Sequence, residues 1–158
     1  MAHTFGSLVL LATTTALVAC GGADDDPGEP SAGPASTPTA TPIMIMTQIE
    51  GFTGQVLDGS VLAGEPFCTG GTVQHEHGSP AIGFPAVNVF SCAEGELQIA
   101  FGPGPGQMNN ATQTSDWKVI EGSGAFEGAT GNGHMSVTFE SVGSIKGAET
   151  FEGTVTLP

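Results

Sequence analysis

Between Trp117 and Gly133 the chain reads WKVIEGSGAFEGATGNG, and the glycines of that stretch (Gly122, Gly124, Gly128, Gly131 and Gly133) limit what can form there. A glycine inside a helix costs about 1 kcal/mol relative to alanine, so spacing this dense excludes one. Short apolar pieces survive around Trp117 and Phe126, and longer alternating runs lie on either side. The stretch therefore predicts the tight strand–turn–strand centre of a small β-barrel. Across the chain there are 25 glycines in 158 residues and no long Leu/Ala/Glu/Lys segment, which extends the same argument to an all-β domain.

Alternation supplies the strands. Ile43, Ile45, Thr47 and Ile49 share one face of a first strand, with Met44, Met46, Gln48 and Glu50 on the other. Gly51 to Gly54 breaks it, Val56 and Leu57 continue, and Asp58-Gly59 turns into a strand from Ser60 to Ala63. Val87 and Val89 lie in a strand ending at Cys92, and Glu94-Gly95 turns into Glu96 to Phe101, where Leu97, Ile99 and Phe101 point one way. Pro103 and Pro105 stop that strand. Trp117 and Val119 share a face; so do Met135, Val137 and Phe139, leaving His134, Ser136, Thr138 and Glu140 outward. Phe151, Val155 and Leu157 alternate with Thr150, Glu152, Thr154 and Thr156. The expected architecture is a single antiparallel barrel of about eight strands over 43–158, at the spacing barrels and sandwiches use.

The N-terminal part reads as an address. Residues 5–18, FGSLVLLATTTALV, are too short for a membrane-spanning helix of ~20 residues and fit the apolar core of a signal peptide, 1–19. Leu17-Val18-Ala19-Cys20 resembles a bacterial lipobox, which implies lipidation of Cys20 after cleavage. Met1 to Thr4 departs from that pattern in carrying no Lys or Arg. Gly21 rather than Asp follows the cysteine, which by analogy with Gram-negative lipoproteins leaves outer-membrane or surface delivery open. Residues 20–42, rich in Pro, Gly, Ser, Thr and Ala with Asp24, Asp25 and Asp26, have no apolar periodicity and are expected to be a flexible acidic tether. The three aspartates lack the glycine-centred loop of a calcium site and read as solvated charge. With Cys20 carrying lipid, Cys68 and Cys92 remain as an even pair in an oxidising compartment, which predicts a structural disulfide.

Charge excludes a partner class. Sixteen acidic residues face only Lys118 and Lys146, for a net charge of −14, so the surface repels phosphate backbones and nucleic acid is not an expected partner. Anionic headgroups are repelled too, so the expected membrane contact runs through the lipid on Cys20.

A resemblance enters here. Trp117-x-Val119-x-x-Gly122-x-Gly124-x-Phe126-x-Gly128-Ala129-x-Gly131-x-Gly133, followed by Thr150-Phe151-Glu152-Gly153-Thr154-Val155, looks like the central motif and closing strand of small secreted bacterial barrels related to allene oxide cyclase and dirigent proteins. It covers roughly residues 86–158 and implies the barrel fold. Its matching positions build the barrel, so no catalytic residue is carried over. Phe52, Phe126 and Phe151 each begin an F-x-G triplet, which reads as an aromatic anchor beside a bare backbone that lets a strand or ring approach.

Candidate chemistry is thin. Gly122-x-Gly124-x-x-x-Gly128 misses the dinucleotide spacing and precedes a strand instead of a helix, so it reads as a turn. His75-Glu76-His77 is the sharpest feature: on an extended strand both histidines would face one side and could share a divalent metal, with His134 or an acidic residue as the third ligand. Gly70, Gly71, Gly78 and Pro80 around it read instead as a solvated loop, Thr69 to Pro85, in which function would be written. Ser91 and Ser123 lack a nucleophile elbow, and Asp116 with Glu121 is either a barrel-mouth acid pair or surface charge. The expected function is a lipid-anchored envelope barrel, structural or binding a small apolar ligand, with no catalytic residue assigned and no cofactor expected. The alternatives are a cyclase- or isomerase-like enzyme on an apolar substrate and a metal-binding envelope protein. An interior sealed by Trp117, Val137 and Phe139 would leave no room for a ligand.

Overall fold

The computed structural model describes residues 38–102 and 110–158. The expected signal peptide, Cys20, the tether as far as residue 37 and the strand-stopping Pro103 and Pro105 lie outside the described residues. In chain order the elements are β1 (Ala40–Glu50), β2 (Thr53–Val56), β3 (Val61–Leu62), β4 (Glu65–Pro66), β5 (Thr72–Ser79), β6 (Phe84–Cys92), β7 (Gly95–Phe101), β8 (Thr112–Gly122), a 3-10 turn (Gly124–Phe126), β9 (Thr130–Phe139) and β10 (Lys146–Thr156).

Eight of the strands close on themselves in the order β1, β2, β5, β6, β7, β8, β9, β10, with β10 returning to β1. All these pairings are antiparallel, and closure gives each of the eight strands a paired neighbour on either side. The seam is long: β1 and β10 pair from Ala40↔Thr156 to Glu50↔Lys146. β1 thus begins three residues inside the segment expected to be tether, because Ala40, Thr41 and Pro42 find ladder partners at Thr156, Val155 and Thr154. The two-residue strands β3 and β4 form an outlying hairpin that joins β1 at Ile43↔Leu62 and Met44↔Val61.

The period-two reading of the strands holds where the interior is apolar. Ile43, Ile45, Thr47 and Ile49 are buried along β1, and Leu97, Ile99 and Phe101 along β7. Along β10 the buried residues are Gly147, Glu149, Phe151 and Val155, so this strand starts earlier than its apolar alternation shows. β5 is a correction: Thr72 to Ser79 is a strand and not a solvated loop. Its polar sequence gains ladder partners on both sides, β2 at Thr53↔Gln74 and β6 from Thr72↔Ser91 to Ser79↔Phe84. Tertiary pairing here overrides local composition.

One end of the barrel is filled. Phe67, which follows β4, is buried and meets Phe90 at 6.3 Å and Phe126 at 5.7 Å between ring centroids. Cys68 and Cys92 are disulfide-bonded at the same end, with Cα atoms 4.8 Å apart, as their count implied. Above this plug, Phe90 and Phe101 each meet Phe151 edge-on at 5.6 Å, forming an aromatic floor across the interior.

The glycine-rich centre has a specific physical use. The indole of Trp117 runs inside the barrel across β9 to β10, where its Nε1–H is shared between the carbonyls of His134 (2.9 Å) and Glu152 (3.2 Å). A Cβ on Gly133 would lie 2.8 Å from Trp117 Cζ2, and one on Gly153 would lie 2.7 Å from it. Both positions must be bare for the ring to lie there. Gly124 serves the turn instead: it has φ of 60° and packs its Cα side against the Glu94 carbonyl. The F-x-G triplets divide in the same way. Phe126 and Phe151 are interior anchors, whereas Phe52 is 62 % exposed at the opposite end.

Candidate functional site

Four interior polar side chains meet just above the aromatic floor. Thr47 on β1, Asn88 on β6 and Glu149 on β10 are all nearly inaccessible to solvent, at 0, 1 and 3 % exposure. Thr47 Oγ1 donates to Glu149 Oε2 at 2.8 Å, and Asn88 Nδ2 donates to the same oxygen at 2.9 Å. With its amide nitrogen committed to Glu149, Asn88 presents Oδ1 to His75 Nδ1 at 3.1 Å. That geometry requires His75 Nδ1 to carry the hydrogen, so in the neutral ring Nε2 holds the lone pair. His75 is further held edge-on against Phe101, with centroids 5.5 Å apart.

Burial dominates the electrostatics. Removal from water raises the Glu149 carboxyl above its ordinary value of 4.5, and the bonds from Thr47 and Asn88 oppose this only in part. Burial likewise lowers His75 below its ordinary 6.5; the Asn88 bond opposes this and the nearby His77 adds to it. Both groups therefore favour their neutral forms. The two have opposite consequences for stability against pH. The Glu149 contribution is complete below its unfolded value and is lost as pH rises through the higher folded one. The His75 contribution is complete above its unfolded value and is lost as pH falls through the lower folded one. Glu149→Gln keeps the shape and the two incoming bonds but cannot ionise. It is expected to raise the melting temperature by about 4 °C at about pH 8, with the gain vanishing below about pH 4.5, as thermal unfolding across that range will report.

The cluster borders a cavity of about 520 Å³ at the end of the barrel opposite the disulfide. Ile49, Ala86, Phe101, Val137 and Phe139 give it an apolar wall, and Glu149, His75, His77, Gln113 and Ser144 supply its polar groups. Phe52 and Ile145, each 62 % exposed, form its lip. The Gly51 N–H donates to the Ile145 carbonyl at 2.8 Å, which ties the two lip loops together. The interior is therefore not sealed: Val137 and Phe139 line the cavity, and Trp117 lies outside that lining. A larger groove of about 690 Å³ is lined largely by Gln48, Glu50, Gln55, Gln74, Glu140 and Lys146 and offers no aromatic wall.

The sequence-derived candidates scatter. His75 and His77 do share the cavity side of β5, each within about the reach of one aromatic ring of Phe52 (6.2 and 6.0 Å). His134 is not with them. It stands on the outer face of β9, 86 % exposed, with Nδ1 2.6 Å from Asp116 Oδ1. Among the described residues no group of three His, Cys, Asp or Glu side chains is placed to hold a metal ion. Asp116 and Glu121 are exposed on the outside of β8 and form no acid pair at the mouth. Glu149, Asn88 and Thr47 were the residues that sequence reasoning passed over. Thr47 was placed on the buried face without a role, and Asn88 stood unremarked between Val87 and Val89. Glu149 had a usable signal, since it lies two residues before Phe151 and therefore on the same inward face.

Fold and site together define a closed antiparallel barrel with one filled end, an apolar cavity at the other and, between them, a buried carboxyl that burial holds above its ordinary value. Compared with protein-family models, curated proteins and solved structures, the chain matches none of them.

Proposed function

We propose that the chain is a lipid-anchored cell-envelope barrel that binds a small apolar ligand at its open end. The single observation that carries the binding half is the cavity walled by Ile49, Val137 and Phe139 under the exposed lip of Phe52 and Ile145. A purely structural barrel gains nothing from leaving these side chains uncovered, whereas concave apolar sites with a few placed polar groups are how proteins hold small ligands. A neutral apolar fluorophore, N-phenylnaphthylamine, is expected to bind saturably with one site. Ala86→Phe, which adds a ring to the cavity wall, is expected to weaken that binding at least about tenfold while leaving the circular dichroism spectrum unchanged. Binding that is non-saturable, or indifferent to the filled wall, would overturn the reading.

The anchoring half rests on Leu17-Val18-Ala19-Cys20 after an apolar run. Cys20→Ser is expected to shift the protein from the membrane to the soluble fraction on ultracentrifugation; full retention would contradict anchoring. A second reading, a cyclase- or isomerase-like enzyme on an apolar substrate, is favoured by one observation, the buried Glu149 acid at the cavity floor. It requires a substrate that Glu149→Gln binds but no longer converts.

A further inference from the structure

The polar groups at the cavity floor restrict which apolar molecules suit it, an inference that rests on the binding reading above. Both hydrogen bonds to Glu149 converge on Oε2, and among the described residues none reaches Oε1. An oxygen already accepting from Thr47 and Asn88 is the poorer place for the carboxyl hydrogen, so in the neutral acid Oε1 carries it. Glu149 is nearly inaccessible to solvent and yet borders the cavity, which leaves the cavity as the direction in which that donor can be satisfied. Oε1 is open to the cavity and not sealed, since among the described residues Ser115 Oγ alone is both buried and unpaired, so a ligand acceptor there replaces water beside an apolar wall and gains more than the same contact on a flat surface would give.

Anionic heads are disfavoured on independent grounds. The chain holds no arginine and two lysines. Lys118 lies over the Phe84 ring on the outside of the barrel, and Lys146 pairs with Glu50 at 3.2 Å on exposed side chains. The groups that face the Glu149 carboxyl are Thr47 from β1, Asn88 from β6 and, through Asn88, His75 from β5, with His77 further toward the lip. No fixed cation is among them. A carboxylate or sulfonate placed there would meet an acidic chain and a site without a counter-charge.

We propose that the barrel selects neutral, apolar molecules bearing a carbonyl oxygen, which accepts a hydrogen bond from Glu149 Oε1 while the apolar body lies against Ile49, Val137 and Phe139. A ketone, aldehyde, ester or amide meets this requirement; a free fatty acid does not. The preference belongs to the protonated carboxyl and fades as pH rises and Glu149 ionises. Burial also lowers the nearby His75 below its ordinary value, so the assignment to Glu149 needs a variant that leaves His75 in place.

The test compares three fluorescent probes on the intact chain: propionyl-dimethylaminonaphthalene, a neutral aryl ketone; dimethylaminonaphthalene, which lacks the ketone; and anilinonaphthalene sulfonate, an anion. Wild type is expected to bind the ketone about tenfold more tightly than its carbonyl-free analogue at about pH 4.5, where a carboxyl held above its ordinary value is mainly protonated, and to lose that margin as pH rises. Glu149→Gln offers an amide N–H in place of the carboxyl and is expected to keep the margin at every pH. Glu149→Leu is expected to abolish the margin while retaining both neutral probes, with circular dichroism confirming the fold. Equal binding of ketone and analogue, or tighter binding of the sulfonate, overturns the ligand class while leaving the cavity reading intact. Failure of all three probes to bind saturably overturns the cavity reading itself.

Discussion

Trp117→Ala is expected to remove about 3–5 kcal/mol of stability and to lower the melting temperature by about 10–20 °C. The indole is 1 % exposed, so the substitution leaves a large void in a closed interior. It also takes away the one N–H that the carbonyls of His134 and Glu152 share. Most domains have only about 5–15 kcal/mol in total, so part of the population would be unfolded at ambient temperature. The converse change tests the same contact from the other side. A Cβ at Gly133 would run into the Glu152 carbonyl oxygen and approach the Gly153 Cα at 2.7 Å and Trp117 Cζ2 at 2.8 Å, closer than such atoms come in proteins. Gly133→Ala should therefore cost nearly as much as Trp117→Ala. In the double variant the ring is gone but the backbone clash persists, so the two costs should add to less than their sum. Urea denaturation of the four proteins measures the coupling. Full additivity would mean that ring and glycine do not act on each other.

The second large effect concerns the covalent bond. Cys68 and Cys92 are 24 residues apart in sequence, and the loop they close limits the unfolded chain by roughly 3.5 kcal/mol in the chain-entropy model. The paired variant Cys68→Ser with Cys92→Ser is expected to lose about that much, and the wild type in excess reductant should unfold at the same denaturant concentration as the variant. The closed loop contains the whole β5–β6 hairpin and hence both His75 and Asn88. A shift of less than about 1 kcal/mol would show that the unfolded chain keeps this hairpin without the bond.

Much of the fold was legible because alternation reports burial directly wherever a strand has one apolar face. Ile43, Ile45 and Ile49 announced β1, and Leu97, Ile99 and Phe101 announced β7. The glycines before and after Phe126 were legible too, as a corner and a bare surface, although the ring that needs Gly133 could be identified only in three dimensions. The strand carrying His75 was misread as a loop because Val73 is the one apolar side chain on its inward face, and His75 and His77 continue that face with polar groups.

The site was the least legible part, for a definite reason. Its hydrogen bonds join residues 102, 61 and 13 positions apart, and each residue taken alone looks like a lapse in an apolar pattern. Asn88 within FPAVNVFSC and Thr47 within IMIMTQIE are such lapses. Only the register that sets β1 beside β10, and β6 across the interior, turns three interruptions into one network. His134 failed as a ligand for the complementary reason: Met135 and Val137 fix the inward face of β9, so a residue at an even position must face out.

The plug of Phe67 and Phe126 has a consequence for traffic. A tube stopped at one end can store a cargo but cannot conduct one, and whatever enters head-first must leave tail-first by the same door. On the ligand-binding reading proposed above, occupancy would be governed by a single doorway, and the length of molecule held would be measured from the lip of Phe52 and Ile145 to the rings of Phe90 and Phe151.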